Sequence, residues 1–175
     1  MQIMAISGSL RQASTNTTLL RAVERLAPEG MSITLYEGLG DLPHFNPDLE
    51  GSEPHAVMDF RARLANADGV LISSPEYAHG VPGVIKNALD WVVGSGETVG
   101  KPFALLNPSP RSTFAQASLI EILTTMAARL VDQACVTVPL AGKNLGEAGI
   151  IAHPEIGPTL TSALIAFLNA IEEKL

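Results

Sequence analysis

Three polar stretches of this chain hold side chains suited to gripping a ligand, and each follows directly on an apolar run of strand length. The first lies in "AISGSLRQASTN", residues 5–16, with Thr17 just beyond it. Gly8 lets a backbone come close to a ligand, Ser9, Ser14, Thr15, Asn16 and Thr17 offer hydroxyl and amide groups, and Arg11 adds one cation. A helical pattern begins at the same point, so unpaired N–H groups and a positive dipole end face back into the loop. This combination suits an anion, most naturally a phosphate monoester. A helix cap alone needs one such residue; five polar side chains and an arginine exceed it. Substituting Arg11 or Asn16 is expected to leave the fold intact, since both read as surface-loop positions.

The second stretch is "SSPEYAHGVPGVIKNALDWV", residues 73–92. Pro75 stiffens the exit from a strand, and Gly80 and Gly83 permit tight turns. Tyr77 brings a flat apolar face with a polar tip. Such a loop suits a planar heteroaromatic ring held by backbone amides and an aromatic edge. The third stretch, "NPSPRSTFAQASL" at 107–119, is a proline-rich turn carrying Ser109 and Arg111.

Neither widespread phosphate motif, G-x-G-x-x-G or G-x-x-x-x-G-K-[ST], is present. "GSGETVGK" at 94–101 approaches the second by eye, but its glycines are spaced differently and Pro102 stands where a hydroxyl belongs. It also precedes a strand, so it reads as a turn. His44, His55, His79 and His153 show no ligand spacing, and no metal site is expected. Cys135, inside the apolar "ACVTVPL", reads as a buried structural thiol, and its being the one cysteine fits a reducing cytoplasm.

The elements that must position these loops alternate regularly. Apolar runs of strand length occur at 2–7, 32–36, 69–74, 102–107 and 134–138. Between and after them come five helical patterns: Leu19 to Leu26, ended by Pro28 and Gly30; Val57 to Ala67; Val84 to Val93; Leu119 to Leu130; and Leu160 to Ile171. Such alternation implies right-handed crossovers and a parallel sheet covered on both faces. The expectation is an α/β, doubly wound, three-layer sandwich in one domain, 1–175. The Gly- and Pro-containing segment 37–54 reads as a long loop. Ligands of such sheets bind beyond the carboxyl ends of the strands, where the strand order reverses. All three polar stretches belong there.

Composition narrows the partners. The chain has 175 residues, 46% hydrophobic and 17% charged, which is globular and not disordered. Its net charge is −7 with no basic cluster, which argues against nucleic acid or an anionic membrane as partner. No leader or membrane span is read from the sequence.

"GSLRQASTN" followed by "SPEYAHGVPGVIKNALDW" resembles the NAD(P)H-dependent FMN reductase family, which includes bacterial chromate and quinone reductases and small azoreductases. The resemblance implies a flavodoxin-like fold with a five-stranded sheet in the order 2-1-3-4-5. It implies FMN as cofactor, with Ser9, Arg11, Ser14, Thr15, Asn16 and Thr17 around its phosphate. Pro75, Glu76, Tyr77, Ala78, His79 and Gly80 would lie along the ring, chiefly through backbone groups; many relatives carry Asn where Ala78 stands. The 107–116 turn departs from the small glycine-rich turn usual in relatives, yet Ser109 would face the ring and Arg111 a phosphate of NADPH or NADH. The implied reaction is ping-pong hydride transfer to a quinone, azo, metal-oxyanion or flavin acceptor, with no catalytic side chain. The resemblance also implies a homodimer or homotetramer, for which Trp91, Val92, Val93 and the stretch 114–130 would supply the apolar face. A flavodoxin-type electron carrier, or a module without flavin, are the competing readings.

Overall fold

The computed structural model describes residues 1–140 and 142–173. Strands and helices run β1 (Gln2–Ser7), α1 (Thr15–Arg25), β2 (Ser32–Tyr36), α2 (His55–Asn66), β3 (Gly69–Ser73), α3 (Gly83–Asp90), β4 (Pro102–Asn107) and α4 (Thr113–Thr125). They continue with β5 (Arg129–Leu130), β6 (Val136–Thr137), α5 (Glu147–Ala152) and α6 (Ile156–Glu172). Among the described residues the pairings between these strands are parallel, and the sheet order is β2-β1-β3-β4-β5, with β6 also on β4. This is the flavodoxin-like order implied by the sequence.

The unbroken apolar strands follow from burial on both sides. Ile3, Ala5, Leu71, Ala104 and Leu106 face one core, with Leu19, Leu20 and Val23 of α1 and Leu160, Leu164 and Phe167 of α6. The intervening Met4, Ile6, Val70, Ile72, Phe103 and Leu105 face the other, with Phe60 and Leu64 of α2, Ile85 and Leu89 of α3, and Leu119 and Leu123 of α4. The two-residue period of a strand thus divides each run between the layers.

The fifth strand differs from the expected 134–138. β5 pairs with Pro102 and Phe103, β6 with Leu106 and Asn107, and a 3-10 turn at Asp132–Ala134 separates them. The chain leaves the sheet edge there, and the Leu105 N–H donates to Cys135 Sγ at 3.3 Å in place of a ladder partner. Burial pushes the Cys135 thiol above its usual range, with Asp132 adding to the effect, so it is a poor nucleophile. Cys135→Ala should strand a buried N–H and cost about 1–3 kcal/mol. Cys135→Ser, which keeps an acceptor, should cost less; thermal melts of the two variants check this.

Leu130 belongs to β5 and not to the fourth helix. α4 ends earlier because Ala127 takes φ 55°, with Ala127 N–H bonded to the Thr124 carbonyl and Ala128 N–H to the Leu123 carbonyl. That is a Schellman stop built without glycine. Likewise α3 ends at Asp90; Trp91 and Val92 turn into the core while Val93 stays exposed. The segment 37–54 is held to α3, since Asn87 Oδ1 accepts from Phe45 N–H at 2.8 Å and Trp91 Nε1 donates to the Pro43 carbonyl at 2.8 Å. No helix among the described residues is long and apolar enough to cross a membrane.

Candidate ligand site at the carboxyl edge of the sheet

The three polar stretches leave the carboxyl ends of β1, β3 and β4, which are neighbours in the sheet. The strand order reverses at β1, so they surround the topological switch point where open α/β sheets bind ligands.

In the loop after β1, Ser14 is the N-cap of α1, and its hydroxyl accepts from Thr17 N–H at 3.3 Å. Thr17 Oγ1 lies 2.8 Å from Ser7 Oγ. Asn16 is buried, and its carbonyl oxygen accepts from Ser73 Oγ at 2.9 Å, tying α1 to the end of β3. Asn16 is therefore not the surface-loop position expected of it. Gly8 has a packing role: its N–H bonds to the Ser73 carbonyl at 2.8 Å, and a Cβ there would lie 2.6 Å from Ser74 Oγ and 2.9 Å from an Ile85 methylene. Its bareness lets the first and second loops pack together.

Ser9 is half-buried, and Arg11 and Thr15 are exposed. Ser9, Arg11, Gln12 and Thr17 line a cavity of about 210 Å³ together with Ser7 and Arg21. Arg21 was not picked out from sequence, although it follows Thr17 by four residues and so shares its helix face. It sits 4.0 Å from Glu37, an exposed and weak pair. The first turn of α1 holds no acidic residue, so among the described residues the one carboxylate on the cavity wall is that of Glu37, set against Arg11 and Arg21.

In the loop after β3, Tyr77 and Gly80 form a two-hydrogen-bond bridge, with N–H···O distances of 3.2 and 3.0 Å. The enclosed residues, Ala78 at φ 50° and His79 at φ 58°, are both left-handed, as a type I′ turn requires. The strain falls on these two and not on Gly80 or Gly83. A left-handed non-glycine residue costs roughly 1–2 kcal/mol. Ala78→Asn, whose side chain tolerates this region, should stabilise the protein by up to about 1 kcal/mol, raising Tm by roughly 2–4 °C in a thermal melt.

Two contacts join this loop to the third. Glu76 Oε2 accepts from Ala115 N–H at 2.8 Å, so its carboxylate caps the first turn of α4, where Ser112 provides no side-chain cap. The rings of His79 and Phe114 stack with centroids 4.2 Å apart and planes at 19°. The third loop is closed on itself: Asn107 Oδ1 accepts from Ser109 N–H at 3.0 Å, and Ser112 N–H donates to the Ser109 carbonyl at 3.0 Å. Ser109 is half-buried and Arg111 exposed. Of the helices that start at this edge, α4 has its first turn capped by the Glu76 carboxylate, whereas α1 has no acidic residue in its first turn.

This edge of the sheet therefore offers hydroxyl and guanidinium groups in the loop after β1 and exposed aromatic side chains in the loops after β3 and β4, Tyr77 being 59% and Phe114 55% exposed. A phosphate joined to a flat ring fits this donor set. The sequence matches the NADPH-dependent FMN reductase model over residues 1–143. The chain belongs to that family. Among relatives of this FMN reductase family, the 2-hydroxy-1,4-benzoquinone reductase of a Burkholderia species is 39% identical over 112 residues, covering 62% of this chain and 61% of that protein. A quinone reductase of Pseudomonas putida is 40% identical over 114 residues, covering 62% and 60%. The chain thus spans about three fifths of the length of these curated relatives. Among solved structures, the flavoenzyme NAD(P)H:(acceptor) oxidoreductase FerB from Paracoccus denitrificans superposes with a TM-score of 0.83 at 30% identity, covering 98% of this chain and 97% of that one.

Proposed function

We propose that this protein binds FMN across the three loops and carries reducing equivalents from NADPH or NADH to a small acceptor. Quinones are the best-supported acceptors, ahead of azo compounds, metal oxyanions and free flavin, because the relatives are named for quinones. The carrying observation is the cavity beside α1, lined by Ser7, Ser9, Arg11, Thr17 and Arg21, in which two guanidinium groups stand against the carboxylate of Glu37. In this reading Ser9, Arg11, Ser14, Thr15, Asn16 and Thr17 surround the FMN phosphate, Asn16 and Ser14 chiefly by shaping the loop.

The hydride chemistry belongs to the bound flavin. The protein's part is to hold and orient: the backbone of Pro75 to Gly80 runs along the ring, Ser109 faces it, and Arg111 meets a phosphate of the reductant. Reductant and acceptor use the same opening in turn, and no side chain acts as acid or base. The chain works as one flavodoxin-like domain in the cytoplasm, where a single unpaired cysteine stays reduced. It self-associates as a dimer or tetramer through exposed apolar residues such as Val93 and Ile120; Trp91 and Val92 are buried in their own subunit.

The test is to purify the protein, identify released flavin by mass, and follow NADPH and NADH consumption with a quinone. FMN and quinone-dependent turnover are expected. A colourless protein that takes up no added FMN would overturn the reading.

A further inference from the structure

Resting on the flavin reading above, we infer that the stacked rings of His79 and Phe114 are the surface on which planar acceptors dock. The pair thereby selects aromatic acceptors, quinones above all, over compact inorganic ones.

The pair bridges the loop after β3 and the first turn of α4, at the ligand-binding edge of the sheet. Phe114 is 55% exposed and His79 is exposed as well, so neither ring belongs to the core. A near-parallel stack uses one face of each ring and leaves the others free, and free π-faces attract flat, electron-poor rings. The backbone points the same way. An Asn-Gly turn would close the Tyr77–Gly80 hairpin without strain, yet this chain holds a histidine at φ 58° and so aims its ring at Phe114. Strain kept at a ligand-binding loop points to function.

The opposing ring is fixed too. Ala115, next to Phe114, donates its N–H to Glu76, which locks the first turn of α4 against the loop that carries His79. The two rings are thus stacked before anything binds, and such preorganisation lowers the cost of binding.

The experiment measures calorimetric binding of 1,4-naphthoquinone to the oxidised holoprotein, in which no electron transfer occurs. In parallel, the ratio of KM for naphthoquinone to KM for ferricyanide is taken in steady state. Phe114→Leu keeps an apolar side chain but loses the ring; Phe114→Tyr keeps the ring. Leucine should weaken naphthoquinone binding by about tenfold and raise the KM ratio similarly, since a ring contact carries up to about that factor. Tyrosine should restore both. An unchanged dissociation constant in the leucine variant overturns the inference. So does a leucine variant that falls from dimer to monomer by light scattering while binding naphthoquinone normally, for then the ring serves subunit contact. Failure of the flavin reading looks different: the wild type itself would carry no FMN.

Discussion

Arg11→Ala should weaken FMN binding by about ten- to a hundredfold while barely changing the weak binding of riboflavin. A guanidinium–phosphate hydrogen bond is charge-assisted and contributes roughly 1.5–3 kcal/mol, and each ~1.4 kcal/mol is a factor of ten. Riboflavin has no phosphate and should be indifferent to the cation. Arg11 is exposed, so its removal takes little from the core. Flavin-quenching titrations of wild type and variant with both flavins provide the comparison. Equal losses for the two would mean that the loop does not read phosphate.

Asn16→Ala should act differently, as a stability defect. Asn16 is 6% exposed and Ser73 0%, and the hydrogen bond between them is the side-chain link from α1 to β3. Losing it leaves the Ser73 hydroxyl buried without this acceptor, at a cost of about 2 kcal/mol, or roughly 4–8 °C in Tm. Removing both partners should cost less than the sum of the single losses, so a double-mutant cycle with Ser73→Ala isolates the coupling. Additive losses would show that the two side chains stabilise the protein independently.

The fold was largely legible because β1, β3 and β4 are apolar runs and five of the six described helices carry apolar residues at helical spacing; the six-residue α5 is too short to show such a pattern. The fifth strand was not. The expected strand at 134–138 holds β6, but β5 was missed because Leu130 continues the apolar spacing of the fourth helix, and the sulfur that takes up the Leu105 N–H looks like any buried cysteine. The end of α4 was hidden because its left-handed residue is alanine, not glycine. At the site, the loops and their polar residues were visible as types and spacings, but not which way each side chain turns. Asn16 turns inward because Ser73, 57 residues later, lies beside it across the sheet. Glu76 turns away from its own loop to cap α4, 39 residues on, where the N-cap residue Ser112 makes no side-chain hydrogen bond. Such pairings depend on strands meeting in space, and local spacing carries no trace of them. Arg21 was within reach, since a residue four positions from Thr17 must share its face.

Anaerobic stopped-flow mixing of the FMN-loaded protein with NADPH, and separately with NADH, tests the central claim most directly. The flavin absorbance should bleach within the turnover time with at least one nucleotide and return on mixing with a quinone. A protein that binds FMN through its phosphate yet keeps it oxidised in the presence of both nucleotides would contradict the account and leave a flavodoxin-type carrier in its place.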